Sequence, residues 1–147
     1  MNPYTRGNAA YKKASVTTKD QGTLILMLYD GAIRFMKTAI KKIENDDLEG
    51  AHTHIVRAKN IISELLTSLD AENAGRVGSS LRSLYVYMFN RLIDANIQKN
   101  KLYIAEVCEL MEELREGWRG VINKKKEIAK SNQFNSRNEV KPIEIEG

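Results

Sequence analysis

The sequence contains two histidines, His52 and His54, and one cysteine, Cys108, which are the side chains that most often form transition-metal sites and, for cysteine, a reactive nucleophile. The two histidines are two residues apart, so on a helix they point to different faces and cannot bind one metal ion together. Cys108 lies on the apolar side of a predicted helix, and neither histidine is spaced to activate it, which predicts a buried structural thiol. A single cysteine also excludes a disulfide framework and a four-cysteine zinc site.

Motifs of catalysis and cofactor binding are missing from the sequence as well. It has no glycine-rich phosphate loop, dinucleotide-binding fingerprint or nucleophile elbow, and no Glu-x-x-His motif of a di-metal bundle. The run of Glu112, Glu113 and Glu116 beside Arg115 and Arg119 is typical of a solvated helix face. The sequence therefore predicts a protein that is not an enzyme, with no catalytic residue, no metal site and no cofactor.

The charges give only weak evidence for an anionic partner, since the net charge is +4 and the pI is about 9.1. Basic residues form short clusters on separate predicted elements, among interspersed acidic residues, which predicts no nucleic-acid partner. These clusters are Lys12–Lys13, Lys37–Lys41–Lys42 and Lys124–Lys125–Lys126. Asp30 is the unusual charge, because it lies inside an apolar stretch. Two interpretations stay open for it: a local ion pair with Arg34, or a structural ion pair with Arg91 on another helix.

The elements that must position these residues are four predicted helices. Apolar residues recur every three or four positions, most regularly in the second helix, which is typical of bundle packing. That stripe is Leu48, Ala51, Ile55, Ala58, Ile62, Leu65 and Leu69. The helices are expected from near Asp20 to Ile43, after an Asp46 N-cap to near Leu69, from about Arg76 to Lys99, and from about Lys101 to Lys130. Short connections make consecutive helices antiparallel neighbours.

The predicted fold is all-α: an antiparallel four-helix bundle over residues 18–130, with an N-terminal arm over 1–17 and a frayed, flexible polar tail over 131–147. Thr18 and Asp20 compete as the first N-cap. The longest apolar run, Leu24–Tyr29, is too short to span a membrane, and the N-terminus lacks a secretory signal. We therefore expect a cytoplasmic protein with no direct membrane insertion.

The helices carry more large apolar side chains than one central core can bury. Tyr85, Tyr87, Met88 and Phe89 lie within five residues of the third helix, and Tyr103, Val107 and Leu110 lie outside the expected core stripe of the fourth. Such a surplus predicts a homodimer interface, cover by the arm, or a groove for an amphipathic segment of a partner.

The sequence resembles the flagellin export chaperones, the FliS family. The matching motifs are Leu26-Met27-Leu28-Tyr29-Asp30-Gly31-Ala32, Ala58 through Ile61-Ile62 to Ser68-Leu69-Asp70, Leu84-Tyr85-x-Tyr87-Met88 with Arg91-Leu92 and Ala95-Asn96, and Trp118. Gly7 and Tyr11 of the arm match as well. The resemblance covers roughly residues 2 to 122, in matching order and spacing.

The resemblance implies a bundle that binds the C-terminal segment of flagellin, which is disordered until flagellin polymerises. The chaperone prevents premature polymerisation and delivers flagellin to a membrane protein of the flagellar type III export gate. The residues then expected at the flagellin groove are Leu28, Tyr85, Tyr87, Met88, Leu92, Ala95 and Asn96. Tyr4 and Tyr11 of the arm are expected to cover that groove or to contact the export gate. A bundle whose apolar face serves homodimerisation is the alternative.

Overall fold

The structure, a computed structural model, describes residues 21–72 and 75–146, with side chains described for 21–69 and 78–135. The described residues form four helices and no strand, so the prediction of an all-α four-helix bundle is confirmed. The helices are α1 Gln21–Glu44, α2 Leu48–Glu72, α3 Gly75–Gln98 and α4 Lys101–Glu146. Helix α1 packs against α2 and α4, and α3 packs against the same two helices. The pairs α1/α3 and α2/α4 are therefore diagonal.

The connection between α1 and α2 is a tight cap-to-cap turn. Asp46 adopts a left-handed backbone conformation, with φ 57°. Its N–H donates to the Ile43 carbonyl at 3.0 Å, and the Asp47 N–H donates to the Lys42 carbonyl at 2.8 Å, which is the Schellman pattern. The Asp47 carboxylate then accepts the Gly50 N–H at 2.9 Å. The N-cap of α2 is therefore Asp47, and the prediction of Asp46 was wrong because Asp46 terminates α1.

The connection between α3 and α4 repeats this design. Lys99 is left-handed, with φ 51°, and the Asn100 N–H reaches the Ala95 carbonyl at 3.0 Å. The Asn100 side chain then caps α4 by accepting the Leu102 N–H at 3.0 Å. Both connections are so short that each pair of joined helices is antiparallel, as predicted.

One inward stripe from each helix forms the core. All of the α2 stripe except Leu48 is buried, because Leu48 lies in the first turn of the helix. On α4, the apolar spacing from Ile104 through Cys108, Met111, Leu114 and Trp118 predicts that Val121 faces inward. Val121 is instead 47% exposed, and Ile122 takes its place at 9%. Val107, expected outside the α4 core stripe, is fully buried. Helix α4 therefore buries a wider arc than its sequence pattern indicated.

A buried polar cluster joins three helices across the diagonal of the bundle. The Tyr29 hydroxyl of α1 is hydrogen-bonded to the Tyr85 hydroxyl of α3. The indole Nε1 of Trp118, on α4, donates to the Tyr29 oxygen at 2.7 Å. Both tyrosines are buried among apolar side chains, so these bonds hold polar atoms that would otherwise be desolvated without a partner.

Ion pairs at three heights join α1 to α4. Asp30 pairs with Arg115, Lys37 Nζ lies 3.2 Å from Glu112 Oε1, and Lys101 Nζ lies 3.3 Å from Glu44 Oε2. Both interpretations of Asp30 were wrong, because its described partner is neither Arg34 nor Arg91. Arg91 lies on the diagonal helix α3, whereas Arg115 lies on the neighbouring helix. Asp30 is half-exposed, so its pair is a surface interaction that adds little stability.

Helix α4 continues beyond its predicted end near Lys130, to Glu146. All side chains from residue 123 to 135 are exposed, so this stretch, called here the α4 extension, has left the bundle core. A polar tail outside the bundle was expected, and the difference is that its backbone remains helical. Tyr4, Tyr11, Thr18 and Asp20 lie outside the described residues.

The tyrosine cluster predicts a specific loss of stability. Tyr29→Phe leaves the Trp118 N–H and the Tyr85 hydroxyl without their described partner, so we expect the free energy of unfolding to fall by about 1–3 kcal/mol. Tyr103→Phe, which removes a hydroxyl with no described hydrogen bond, should change it by less than about 0.5 kcal/mol. Urea denaturation followed by circular dichroism measures both, and equal losses would contradict a structural role for the cluster.

The same cluster limits the stability of the fold at alkaline pH. Burial raises the pKa of Tyr29 and of Tyr85 above the ordinary value of 10.0. A raised folded-state pKa gives stability that is complete below the unfolded pKa of about 10 and is lost as the pH rises above it. Tyrosinate absorbance from these two residues should therefore appear together with unfolding rather than before it.

Candidate partner-binding surface

The structure buries most of the residues expected at the groove. Leu28, Tyr85, Met88, Leu92 and Ala95 belong to the core. Helix α3 packs against both α2 and α4, so these apolar side chains of α3 face the bundle interior and are not available to a partner. Of the seven residues, only Tyr87 and Asn96 reach the surface.

Those two surface residues lie on different sides of α3. Asn96 Nδ2 lies 2.9 Å from His52 Nδ1 on α2, and its side-chain oxygen accepts Lys99 Nζ at 2.6 Å. Tyr87 instead bonds to Glu106 on α4. Residues nine apart are half a turn out of phase on a helix. The structure therefore does not bring Tyr87 and Asn96 into one site.

Tyr87 belongs to a polar network between α3 and α4. Its hydroxyl donates to Oε1 of Glu106, and Arg91 Nε donates to Oε2 of the same carboxylate at 2.9 Å. The Arg91 guanidinium also lies over the Tyr103 ring, 3.7 Å from its centroid, in cation–π geometry. Tyr87 remains 45% exposed. The network thus holds an aromatic ring and an arginine in fixed positions at the surface.

The hydrogen bonds in this network shift the pKa values of Glu106 and Tyr87 in opposite directions. Hydrogen bonds from Tyr87 and from Arg91 lower the pKa of Glu106. The hydrogen bond to Glu106 raises the pKa of Tyr87 and also that of Arg91. At neutral pH the carboxylate is therefore ionised while the tyrosine keeps its proton and donates it in the hydrogen bond.

Apolar side chains adjoin the network on both helices. On α4, Tyr103, Leu110 and Leu114 are half-buried, and their spacing of seven and four residues puts them on one helix face. On α3, Leu84 is half-buried one turn before Tyr87. We call these five residues the α3–α4 surface. It has an aromatic and charged end at Tyr87 and Tyr103 and an apolar end at Leu114.

Sequence reasoning missed the centre of this surface. Glu106 carries no signal in the sequence, because it is one of several glutamates on a solvated helix. Only the register between α3 and α4, which places it opposite Tyr87 and Arg91, distinguishes it. Tyr103 belongs to the surplus apolar surface that the sequence predicts, but its contact with Arg91 depends on the same register.

The described residues give no evidence for a reactive thiol or a metal site. Burial, together with the nearby Glu112 carboxylate, raises the pKa of the Cys108 thiol to about 11, so the thiol stays protonated. No group of three or more metal-ligating side chains occurs in the part of the chain that the structure describes. Across the same part, every helix is too short or too polar to cross a membrane.

A family model and the related proteins both indicate the same family for this chain. The model of the family described as "Flagellar protein FliS" matches residues 4–125. The chain belongs to the FliS family. The flagellar secretion chaperone FliS of Bacillus subtilis is 38% identical over 122 residues, which are 83% of this chain and 87% of that protein. The FliS of Campylobacter jejuni is 35% identical over 114 residues, 78% of this chain and 89% of that protein.

The family assignment settles the broad class of function. FliS is a family of flagellar secretion chaperones and not a family of enzymes, which confirms the prediction that this chain is not an enzyme. The match ends at residue 125, so nearly all of the α4 extension lies beyond it.

The Glu106 network predicts a pH-dependent contribution to stability. Because the folded state lowers the pKa of Glu106, its contribution is present above the unfolded pKa of about 4.3 and is lost as the pH falls through the folded value. Glu106→Gln should therefore be less stable than the parent at neutral pH and should converge with it in acid. Glu109→Gln, one turn along α4 and exposed, is the control. Parallel stability–pH curves for Glu106→Gln and the parent, measured by urea denaturation, would contradict the network.

Proposed function

We propose that this chain is an export chaperone that binds the disordered C-terminal segment of flagellin, prevents its premature polymerisation in the cytoplasm, and delivers it to the flagellar type III export apparatus. The FliS family match over residues 4–125 carries this proposal. A binding role also agrees with a described surface that offers apolar and aromatic side chains and no catalytic constellation.

The α3–α4 surface is the proposed binding site. Tyrosine and arginine are enriched among residues that dominate binding energies, and here Glu106 fixes both Tyr87 and Arg91 before any partner arrives. Such preorganisation removes the entropy loss that mobile side chains suffer on binding. Val86, next to Tyr87, is also exposed. Asn96 lies outside this surface, on the α2 side of α3. The buried residues of the predicted groove lie in the core and would support the surface without contacting the partner.

The partner suited to this surface is a segment that folds into an amphipathic helix. Its apolar side would lie along Leu84, Leu110 and Leu114, and its end would contact Tyr87. A segment that orders on binding loses part of the interaction free energy to ordering, so a long contact along two helices is needed. While that apolar side is covered, flagellin cannot use it for filament assembly.

The arm over residues 1–17 has a regulatory role in this proposal. Tyr4 and Tyr11 are its large apolar side chains, and a tethered segment competes at an effective concentration near the millimolar range. The arm would shield the binding surface until flagellin displaces it, or contact the export-gate membrane protein. Both roles come from the family resemblance.

Truncating the aromatic end of the surface tests the binding site. Tyr87→Ala should weaken binding of a flagellin C-terminal peptide by at least about 30-fold, as expected for a central aromatic anchor. Ile97→Ala removes an exposed apolar side chain at the far end of the same helix and should leave the affinity within twofold. Isothermal titration calorimetry gives both values, with circular dichroism to confirm that the variants are folded.

Two outcomes would contradict this site. An unchanged affinity of folded Tyr87→Ala would place the flagellin site elsewhere on the bundle. If the chain alone scatters light as a dimer, and Tyr87→Ala makes it monomeric with peptide affinity intact, the surface serves homodimerisation instead.

Removing the arm tests its competition with flagellin. A chain lacking residues 1–17 should stay folded, bind the flagellin peptide a few-fold more tightly, and self-associate more, because its surface is no longer shielded. Analytical sedimentation and peptide titration measure these effects. A truncated chain that is monomeric with unaltered affinity would mean that the arm does not cover the surface.

A further inference from the structure

Positive charge is concentrated in the two sequence segments that flank the bundle core. Residues 21–122, which include the whole bundle core, carry thirteen basic and fourteen acidic side chains. The α4 extension, residues 123–135, carries four lysines and one glutamate, and residues 1–20 carry four basic and one acidic side chain. The last twelve residues offset this by a single negative charge, with three acidic and two basic side chains. The bundle is therefore nearly neutral, and the basic excess belongs to the segments that leave it.

The ion pairs between α1 and α4 show that the α4 extension begins beside the start of α1. Asp30 on α1 lies opposite Arg115 on α4, and Glu44 lies opposite Lys101. Because these helices are antiparallel, α4 runs toward the start of α1 and passes Gln21 at about residue 124. The α4 extension thus begins where residues 1–20 join the bundle.

One face of the helix at this pole combines lysines with exposed apolar side chains. Val121, Lys124, Lys125 and Ile128 follow the spacing of one helix face. Val121 is 47% exposed and Ile128 is 51% exposed, and both lysines are exposed. Lysine side chains beside apolar groups are suited to a lipid–water interface, because their stems lie along apolar surface while the ammonium reaches the headgroups.

We propose that the α4 extension adsorbs to anionic membrane surfaces, with its lysines at the lipid headgroups and Ile128 at the boundary of the acyl chains. The complementary charge of an anionic bilayer supplies the attraction, and each lysine near such a surface contributes about fivefold to binding. Adsorption needs no membrane-spanning helix, in agreement with the described residues.

Two other partners fit this face less well. Arginine is better suited than lysine to hydrogen-bond nucleic-acid phosphates and bases, and the α4 extension has lysine but no arginine. Contacts to phosphates would also leave the apolar side chains of Val121 and Ile128 exposed. A second copy of this chain would bring two lysine clusters together, which is unfavourable. The proposal does not depend on flagellin binding, since its elements lie outside the α3–α4 surface.

Co-sedimentation of the full chain with vesicles tests the proposal directly. One vesicle preparation contains phosphatidylcholine alone, and the other contains phosphatidylcholine and the anionic lipid phosphatidylglycerol in equal parts. We expect binding only to the anionic vesicles, weakening steeply as salt is added because surface charges are screened. Equal binding to both preparations, or binding to neither at low salt, would overturn the proposal.

Matched lysine pairs and an apolar variant identify the surface. The double variant Lys124→Gln with Lys125→Gln should bind anionic vesicles about 25-fold more weakly. The control, Lys41→Gln with Lys42→Gln, removes the same charge from an adjacent pair at the opposite pole and should change binding by less than twofold. Ile128→Ser should weaken vesicle binding several-fold. If both lysine pairs act equally, if Ile128→Ser has no effect, or if single-stranded RNA binds more tightly than the vesicles at the same salt, the assignment to lipid is wrong.

Discussion

The hydrogen bonds among Tyr29, Tyr85 and Trp118 are the constraint on which the rest of the bundle depends. Tyr29 and Tyr85 belong to helices on a diagonal, and Trp118 belongs to a third helix. A polar contact across the diagonal can form only at one height and one rotation of each helix, because buried hydroxyls without partners are costly. Apolar packing alone would tolerate small slides of the helices.

The rotation of α3 that buries Tyr85 also creates the proposed binding surface. Residues two apart on a helix differ by about 200° in direction, so burying Tyr85 turns Tyr87 outward. There Tyr87 meets Glu106, whose carboxylate also holds Arg91 over Tyr103. The two tyrosines therefore differ in role: Tyr85 fixes the core, whereas Tyr87 is an anchored surface ring that the proposed function assigns to partner binding.

Much of the fold could be predicted from the apolar spacing in the sequence. The features that could not be predicted depend on contacts between helices. The all-α bundle and the α2 stripe were predictable because helix periodicity is a local property. The partner of Asp30 was not, because choosing Arg115 over Arg91 requires knowing which helices are diagonal. Likewise the sequence predicted Asp46 as the N-cap of α2, and only its left-handed backbone shows that Asp46 ends α1 and that Asp47 is the cap. The motif residues near Tyr85 resembled a family, and the resemblance placed Tyr85, Met88, Leu92 and Ala95 at a groove although their three- and four-residue spacing is that of a core stripe.

The central claim is that flagellin docks on the α3–α4 surface of a bundle whose core stays closed. Hydrogen exchange of backbone amides, read by mass spectrometry with and without a flagellin C-terminal peptide, tests this most directly. We expect slower exchange around Tyr87 and along α4 from Tyr103 to Leu114, with exchange near Tyr29 unchanged. Faster exchange across α3 between Tyr85 and Ala95, where the buried groove residues lie, would mean that the bundle opens for its partner and would contradict the account.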